Sequence, residues 1–316
     1  MCGIVGILGR APTRPIPDEG DIFAAIDRAI DAIDDPAAAA SELGRVDRLL
    51  MGVPGALALI DRREFASEIA ARLDRLDAAI DDFDADFDDG DWTPDEVERR
   101  AAASIALRDV LWAIRHDRLR TAIEVGALAG RDASVGAVAG YLAIQRALSA
   151  IDRLEVRGRD SAGINVIVHH HALDLDDPAV RAAIDARDDD PMYTSGSVRH
   201  VDGVLSFAYK AAAEIGELGD NTRVLRAAVA GDDLLRRALA ADEVRTSVLG
   251  HTRWASVGII SEPNTHPLNS DELEASPSVL QPPYVVAALN GDVDNHADLR
   301  VAHQLRIHPQ VTTDAK

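Results

Sequence analysis

At 316 residues, 47% of them hydrophobic but only 4% aromatic, the chain can form one large or two ordinary domains with cores of Ala, Leu, Ile and Val. A net charge of −21 without any Lys/Arg cluster argues against nucleic acid or an anionic membrane surface as a partner. The single cysteine allows no internal disulfide, no apolar run reaches the ~18–20 residues of a membrane helix, and the apolar start lacks a basic n-region, so a cytoplasmic protein is expected.

Residues 2–8 form a short apolar run suited to a buried strand. The only cysteine, Cys2, stands directly behind Met1. Loss of Met1 would give it a free α-amine, which titrates at roughly pH 7.7–8.0 and can serve as base for its own thiol. A buried structural cysteine is the plain alternative. Pro12, Pro15 and Pro17 then break regular structure. From about Asp18 to Gly130 the pattern is helical. Ile22, Phe23, Ile26, Ile30 and Ile33 make one stripe, and Asp35-Pro36 is an N-cap and N1 pair for a second helix. Phe65, Ile69, Leu73, Leu76, Ile80, Phe83 and Phe87 step by threes and fours, as in an antiparallel hairpin or bundle. Thr93-Pro94-Asp95-Glu96 opens another helix, with Val97, Ala101, Ile105, Trp112 and Leu119 as its expected stripe. The Asp/Arg-rich exterior reads as a solvated face, or otherwise as a docking surface.

A helix is expected over about Val135–Leu154, followed by Arg157-Gly158-Arg159-Asp160-Ser161-Ala162-Gly163 and a strand at Ile164–Val168. Residues 172–200 read as acidic and irregular. A strand near Val201–Ser206, a helical stretch from Tyr209 to Ala240, and strands near Thr246–His251 and Tyr284–Leu289 complete the pattern. His169-His170-His171 alternates faces on an extended segment and has no partner at zinc-like spacing, so no metal is expected there.

The exits of the last two strands carry the residues suited to chemistry. Arg253, in Gly250-His251-Thr252-Arg253-Trp254-Ala255-Ser256, suits two-pronged binding of a carboxylate, or equally a surface salt bridge. Asn290-Gly291 is either a plain turn or an oxyanion hole made of a side-chain amide and an open backbone N–H. Asp314, after Thr312-Thr313, is suited to an amine but means little alone.

Taken in order, Met1–Gly6, Arg157–Gly163, Gly250–Ala255, Asn264-Thr265-His266-Pro267 and Asn290–His296 resemble the class II glutamine amidotransferases. The Arg-Gly-x-Asp-Ser-Ala-Gly and His-Thr-Arg-Trp-Ala strings are most similar to the glutaminase domains of glutamine–fructose-6-phosphate aminotransferases. The blocks span only about half of the chain. The resemblance implies an α+β, partial four-layer αββα N-terminal-nucleophile hydrolase fold built from residues 1–10 and 135–316, with 11–134 as a helical-bundle insertion. It implies that Cys2 attacks L-glutamine, that Asn290 and Gly291 hold the oxyanion, that Arg253 and Asp314 bind the α-carboxylate and α-ammonium, and that Trp254 gates ammonia. Ser256-Val257 stand where the synthases often have Thr-His, making Ser256 the expected substrate contact. No cofactor and no metal are implied. Family members continue past the position of Asp314 with further sheet strands and with the domains that bind fructose 6-phosphate and can form homo-oligomers. An incomplete fold with exposed apolar faces is therefore expected, and an inert fragment or an interaction module built on the insertion is the alternative function.

Overall fold

The computed structural model describes residues 2–88, 92–212, 217–273 and 283–316. Contacts divide the chain into two compact units, one of residues 12–132 and one of residues 1–11 with 133–316. Among the described residues no helix is long and apolar enough to cross a membrane.

The first strand, β1 (Gly3–Leu8), belongs to the second of these units. The unit that follows it in sequence is all helical: α1 (Glu19–Asp31), α2 (Pro36–Leu50), α3 (Gly52–Leu59), α4 (Arg63–Asp88), α5 (Pro94–Ala113) and α6 (Arg120–Ala129). Asp35 caps α2 by accepting from the Ala38 N–H, with Pro36 at the first helical position. Glu96 accepts from the N–H and Oγ1 of Thr93 and so fixes the start of α5. Phe65, Ile69, Leu73, Leu76 and Ile80 of α4 are buried against Ile22 and Ile26 of α1 and Leu43 and Val46 of α2. Phe83 is half-buried, and the Phe87 side chain lies outside the described residues.

Helix α5 corrects the expectation for its stripe. Val97, Ile105 and Trp112 face solvent, and the buried positions are Ser104, Leu107 and Leu111, continued by Ile114. The apolar residues of α5 are spread around its circumference, so hydrophobicity alone does not choose a face. Charge does: Arg108 pairs with Asp77, Asp81 and Asp84 of α4, and Arg115 with Asp74 and Asp77. That ladder, with Ser104 donating to Asp84, turns Leu107 and Leu111 inward beside it. A single π-helical turn, Ile114–Leu119, carries α5 into α6.

The other unit continues with α7 (Val135–Leu154), β2 (Ser161–His169), α8 (Pro178–Asp188), β3 (Val198–Val201), β4 (Val204–Ala211), α9 (Asp220–Ala230), α10 (Asp233–Ala238), β5 (Arg245–Arg253), β6 (Leu268–Asn269), β7 (Val286–Ala287) and α11 (His296–Ala302). The large sheet runs β1-β5-β2-β4-β3, every pair antiparallel, and β6 and β7 form a separate two-stranded ribbon. This is an α+β architecture. Helix α7 packs on one face of the sheet, where Gly3 and Gly250 leave room for it. A Cβ on Gly3 would stand 2.8 Å from Leu154, and one on Gly250 would meet Val5 and Ile151. On the opposite face the ends of edge strand β1 expose Ile4 and Leu8.

Four expectations need correction here. The acidic stretch 172–200 is not irregular throughout: Asp177 caps α8 by accepting from Ala179, and β3 follows. The strand expected near Val201–Ser206 is a hairpin, β3–β4, turning at Asp202-Gly203 with both residues at positive φ. Asp-Gly is the strong signal for that turn. Helix therefore does not begin at Tyr209, because β4 runs to Ala211, paired along β2; residues 213–216 lie outside the described residues. The last expected strand, Tyr284–Leu289, is reduced to Val286–Ala287.

Candidate functional site

The site is built where β1 begins and β5 ends. Pairing of Gly3 with Thr252 places Cys2, half-buried, beside the chain leaving β5. The Trp254 N–H donates to Cys2 Sγ at 3.3 Å, and the Gly3 N–H donates to Thr252 Oγ1 at 3.1 Å. The Cys2 thiol in turn donates to the Trp254 carbonyl at 3.7 Å. Met1 lies outside the described residues.

Arg253 is the neighbouring charge. It is 4% exposed, and its Nη1 and Nη2 donate to the carbonyls of Ile259 and Val257, which leaves N–H groups of the guanidinium unused. Burial pushes its pKa down, while Cys2, Asp314 and Asp160 act on it in the opposite sense. The cysteine, the arginine and the C-terminal aspartate thus share one electrostatic environment. Trp254 is 61% exposed, free to meet whatever enters.

The strand exit is held from the Arg157–Gly163 block. Asp160 accepts from the Ala255 N–H at 2.7 Å, and its own N–H donates to the Arg253 carbonyl. Gly158 is required by close approach, since a Cβ would lie 2.9 Å from the Arg253 carbonyl carbon. Gly163 has a parallel role on the face of the sheet away from α7, where a Cβ would stand 2.4 Å from the His266 carbonyl oxygen. Its lack of a side chain lets the Asn264–Pro267 segment lie on the sheet.

Asn264 is a hub of that segment. Fully buried, it donates to the Gln310 carbonyl and accepts from the N–H groups of Thr312 and Thr313. This fixes Asp314, which is buried and accepts from the Val293 N–H at 2.6 Å. Ser256 donates to Asp292. Asn290 and Gly291 lie between these anchored points. Asn290 is exposed and its side chain has no hydrogen-bond partner among the described residues. Gly291 has φ +153°, which favours glycine, and opens onto free space. Neither residue hydrogen-bonds Cys2. They reach it through Trp254–Ser256 and the Ser256–Asp292 bond.

Two further residues take part that were quoted above without a role. His251 and His266 are buried, their rings 4.6 Å apart, and both bond the peptide groups of Leu289. Burial pushes their pKa values to about 4 and about 3, with Arg253 opposing protonation of both and Lys210 opposing that of His266. Lys210, on β4, is fully buried, its Nζ over the Tyr193 ring and without a hydrogen-bond partner among the described residues, and burial lowers its pKa to about 7. The signal for the histidines was their presence in the Gly250–Ala255 and Asn264–Pro267 blocks. What sequence lacked was the pairing of Gly163 with His251, which puts both blocks on one patch of sheet.

Compared with known proteins, the chain matches no family model, no curated protein and no solved structure.

Proposed function

We propose that this protein hydrolyses glutamine through an N-terminal Cys2, as the glutaminase part of an aminosugar-phosphate synthase within the class II amidotransferases. The observation that carries the reading is the Trp254 N–H on Cys2 Sγ, with Arg253 and Asp314 in the same electrostatic environment. Cys2 stands just before edge strand β1 of a helix-backed antiparallel sheet, a position that supports this reading.

In this reading Met1 is removed and the α-amine of Cys2 takes the thiol proton. The thiolate attacks the side-chain amide carbon of glutamine. Asn290 Nδ2 and the Gly291 N–H hold the tetrahedral oxyanion, for which the open space at Gly291 leaves room. The α-ammonium delivers a proton to the leaving nitrogen, ammonia departs past Trp254, and a Cys2 thioester remains. Water, deprotonated by the α-amine, then releases glutamate. The unused N–H groups of Arg253 receive the substrate α-carboxylate and Asp314 receives the α-ammonium, with Ser256 beside them. Transfer of the ammonia to fructose 6-phosphate belongs to sugar-binding domains of the family.

The test is glutamate release from glutamine by purified protein, with the intact mass read for loss of Met1 and for adduct formation with a glutamine-like diazoketone. Wild type is expected to turn over and to take one adduct. Cys2→Ala is expected to do neither, with its circular dichroism unchanged. Appreciable turnover by Cys2→Ala would sink the assignment. A second reading, a docking module, rests on Val97, Ile105 and Trp112, which turn an apolar stripe of α5 to solvent.

A further inference from the structure

The segment that carries Asn290 and Gly291 has little regular structure of its own. Strand β7 ends at Ala287, two residues before Leu289, and the next helix begins at His296. A hole for an oxyanion works only if its donors are in place before charge develops. Something other than a strand ladder must therefore hold this stretch.

Both peptide groups of Leu289 are taken by imidazoles. His251 Nε2 lies 3.0 Å from the Leu289 carbonyl oxygen, and the Leu289 N–H donates to His266 Nδ1 at 3.2 Å. The partners dictate the tautomers. A carbonyl can only accept, so His251 carries its proton on Nε2. A backbone N–H can only donate, so His266 Nδ1 is bare and its proton sits on Nε2. The two remaining nitrogens, His251 Nδ1 and His266 Nε2, are buried without a partner. Orphaned polar atoms of this kind cost stability that an apolar pair filling the same space would keep. The pair is therefore poor as mere filling and well suited to gripping one peptide. On the far side, Asp314 grips the Val293 N–H. Asn290, Gly291 and Asp292 are slung between these two fixed points.

We propose that His251 and His266 are positioning residues, a clasp on the Leu289 peptide that presents Asn290 and Gly291 as a preformed oxyanion hole. This rests on the glutaminase reading above. Neither imidazole acts as acid, base or nucleophile, and neither touches the substrate.

The test uses amides that copy one ring nitrogen at a time in the full-length protein. In His251→Gln the amide nitrogen stands near the position of Nε2, and in His266→Asn the amide oxygen stands near that of Nδ1. His251→Asn and His266→Gln misplace the same groups. The mismatched pair is expected to lose kcat for glutamine on the order of ten- to a hundredfold, less than the 10²–10³-fold cost of deleting a donor outright. Their KM should stay within about threefold of wild type, and the matched pair should recover most of the loss. Alkylation of Cys2 by iodoacetamide forms no oxyanion, so its rate should be the same in all four variants. Equal kcat in wild type and mismatched variants, equal losses in matched and mismatched variants, or a parallel fall in alkylation would overturn the clasp while leaving the glutaminase reading standing. A wild-type protein that alkylates but releases no glutamate would overturn that reading, and the clasp's role with it.

Discussion

The two units bury different things. Among the described residues of 12–132, one polar side chain, Ser104, is buried, and the rest of the interior is aliphatic with Phe65. Residues 133–316 bury Asn165, Lys210, His251, Arg253, Asn264, His266 and Asp314, among others. The difference follows from how each backbone satisfies itself. A helix pairs its own N–H and C=O groups, so its side chains need only supply an apolar face, and the charges go outside as the Arg108 and Arg115 ladders. Loops laid over a sheet, such as 254–267, 288–295 and 303–314, have no such ladder. Their peptide groups must be met by buried side chains, and those side chains form the environment of Cys2.

That contrast is open to direct attack. The largest effect on stability is expected in the helical unit. Leu73→Ala, at a fully buried position, should cost about 2–5 kcal/mol by denaturant unfolding, while the iodoacetamide reactivity of Cys2 stays as in wild type. A loss below about 1 kcal/mol would mean that the aliphatic interior is not what holds this unit together.

The next effect belongs to the sheet unit and to acid. His251 and His266 titrate near the ordinary histidine value when unfolded, but only at about 4 and about 3 when folded. Between those limits the unfolded chain binds more protons, so their contribution is whole above about pH 6.5 and shrinks as pH falls toward about 4 and then 3. With both unprotonated in the fold, the slope approaches about 1.4 kcal/mol per pH unit for each ring. Unfolding monitored from pH 7 to pH 4.5 should show this slope in wild type and a shallower one in the double variant His251→Gln with His266→Asn.

The smallest effect has the opposite sign. Lys210 Nζ is buried over the Tyr193 ring without a hydrogen-bond partner and titrates at about 7, so it weakens the fold at neutral pH relative to an apolar residue. Lys210→Met should raise stability by about 1–3 kcal/mol at pH 7, the scale of an unpaired buried polar group. The gain should diminish as pH rises from about 7 toward about 10.4, where lysine in the unfolded chain loses its proton as well. A Lys210→Met protein less stable than wild type at pH 7 would show that Nζ is doing something the fold needs.

Much of the helical unit was legible because its signals are local. Asp35-Pro36, Thr93 with Glu96, and the stripe from Phe65 to Ile80 each lie within a few turns of one helix. The facing of α5 was not, because it is set by carboxylates of α4 more than twenty residues away. In the other unit, β1, β5 and α7 follow from apolar runs, whereas the end of β4, from Tyr209 to Ala211, reads as helix in the sequence. Its residues alternate on a sheet buried on both faces, so polar Ser206 and Lys210 disappear inside beside Leu205 and Phe207.

For the site, the sequence by itself determined the reactive parts: a cysteine behind Met1, an arginine at a strand exit, an Asn-Gly pair and a late aspartate. Those are matters of residue type, and a chain carries them openly. Only the tertiary structure decided which of them meet, and what holds them. The Trp254 N–H on Cys2, Asp160 on Ala255, Asn264 on Thr312 and Thr313, and the two imidazoles on Leu289 all join residues far apart in the chain. Such contacts depend on antiparallel register, which brings Gly3, Gly163 and the end of β5 together, and register is a property of the paired sheet rather than of any one strand.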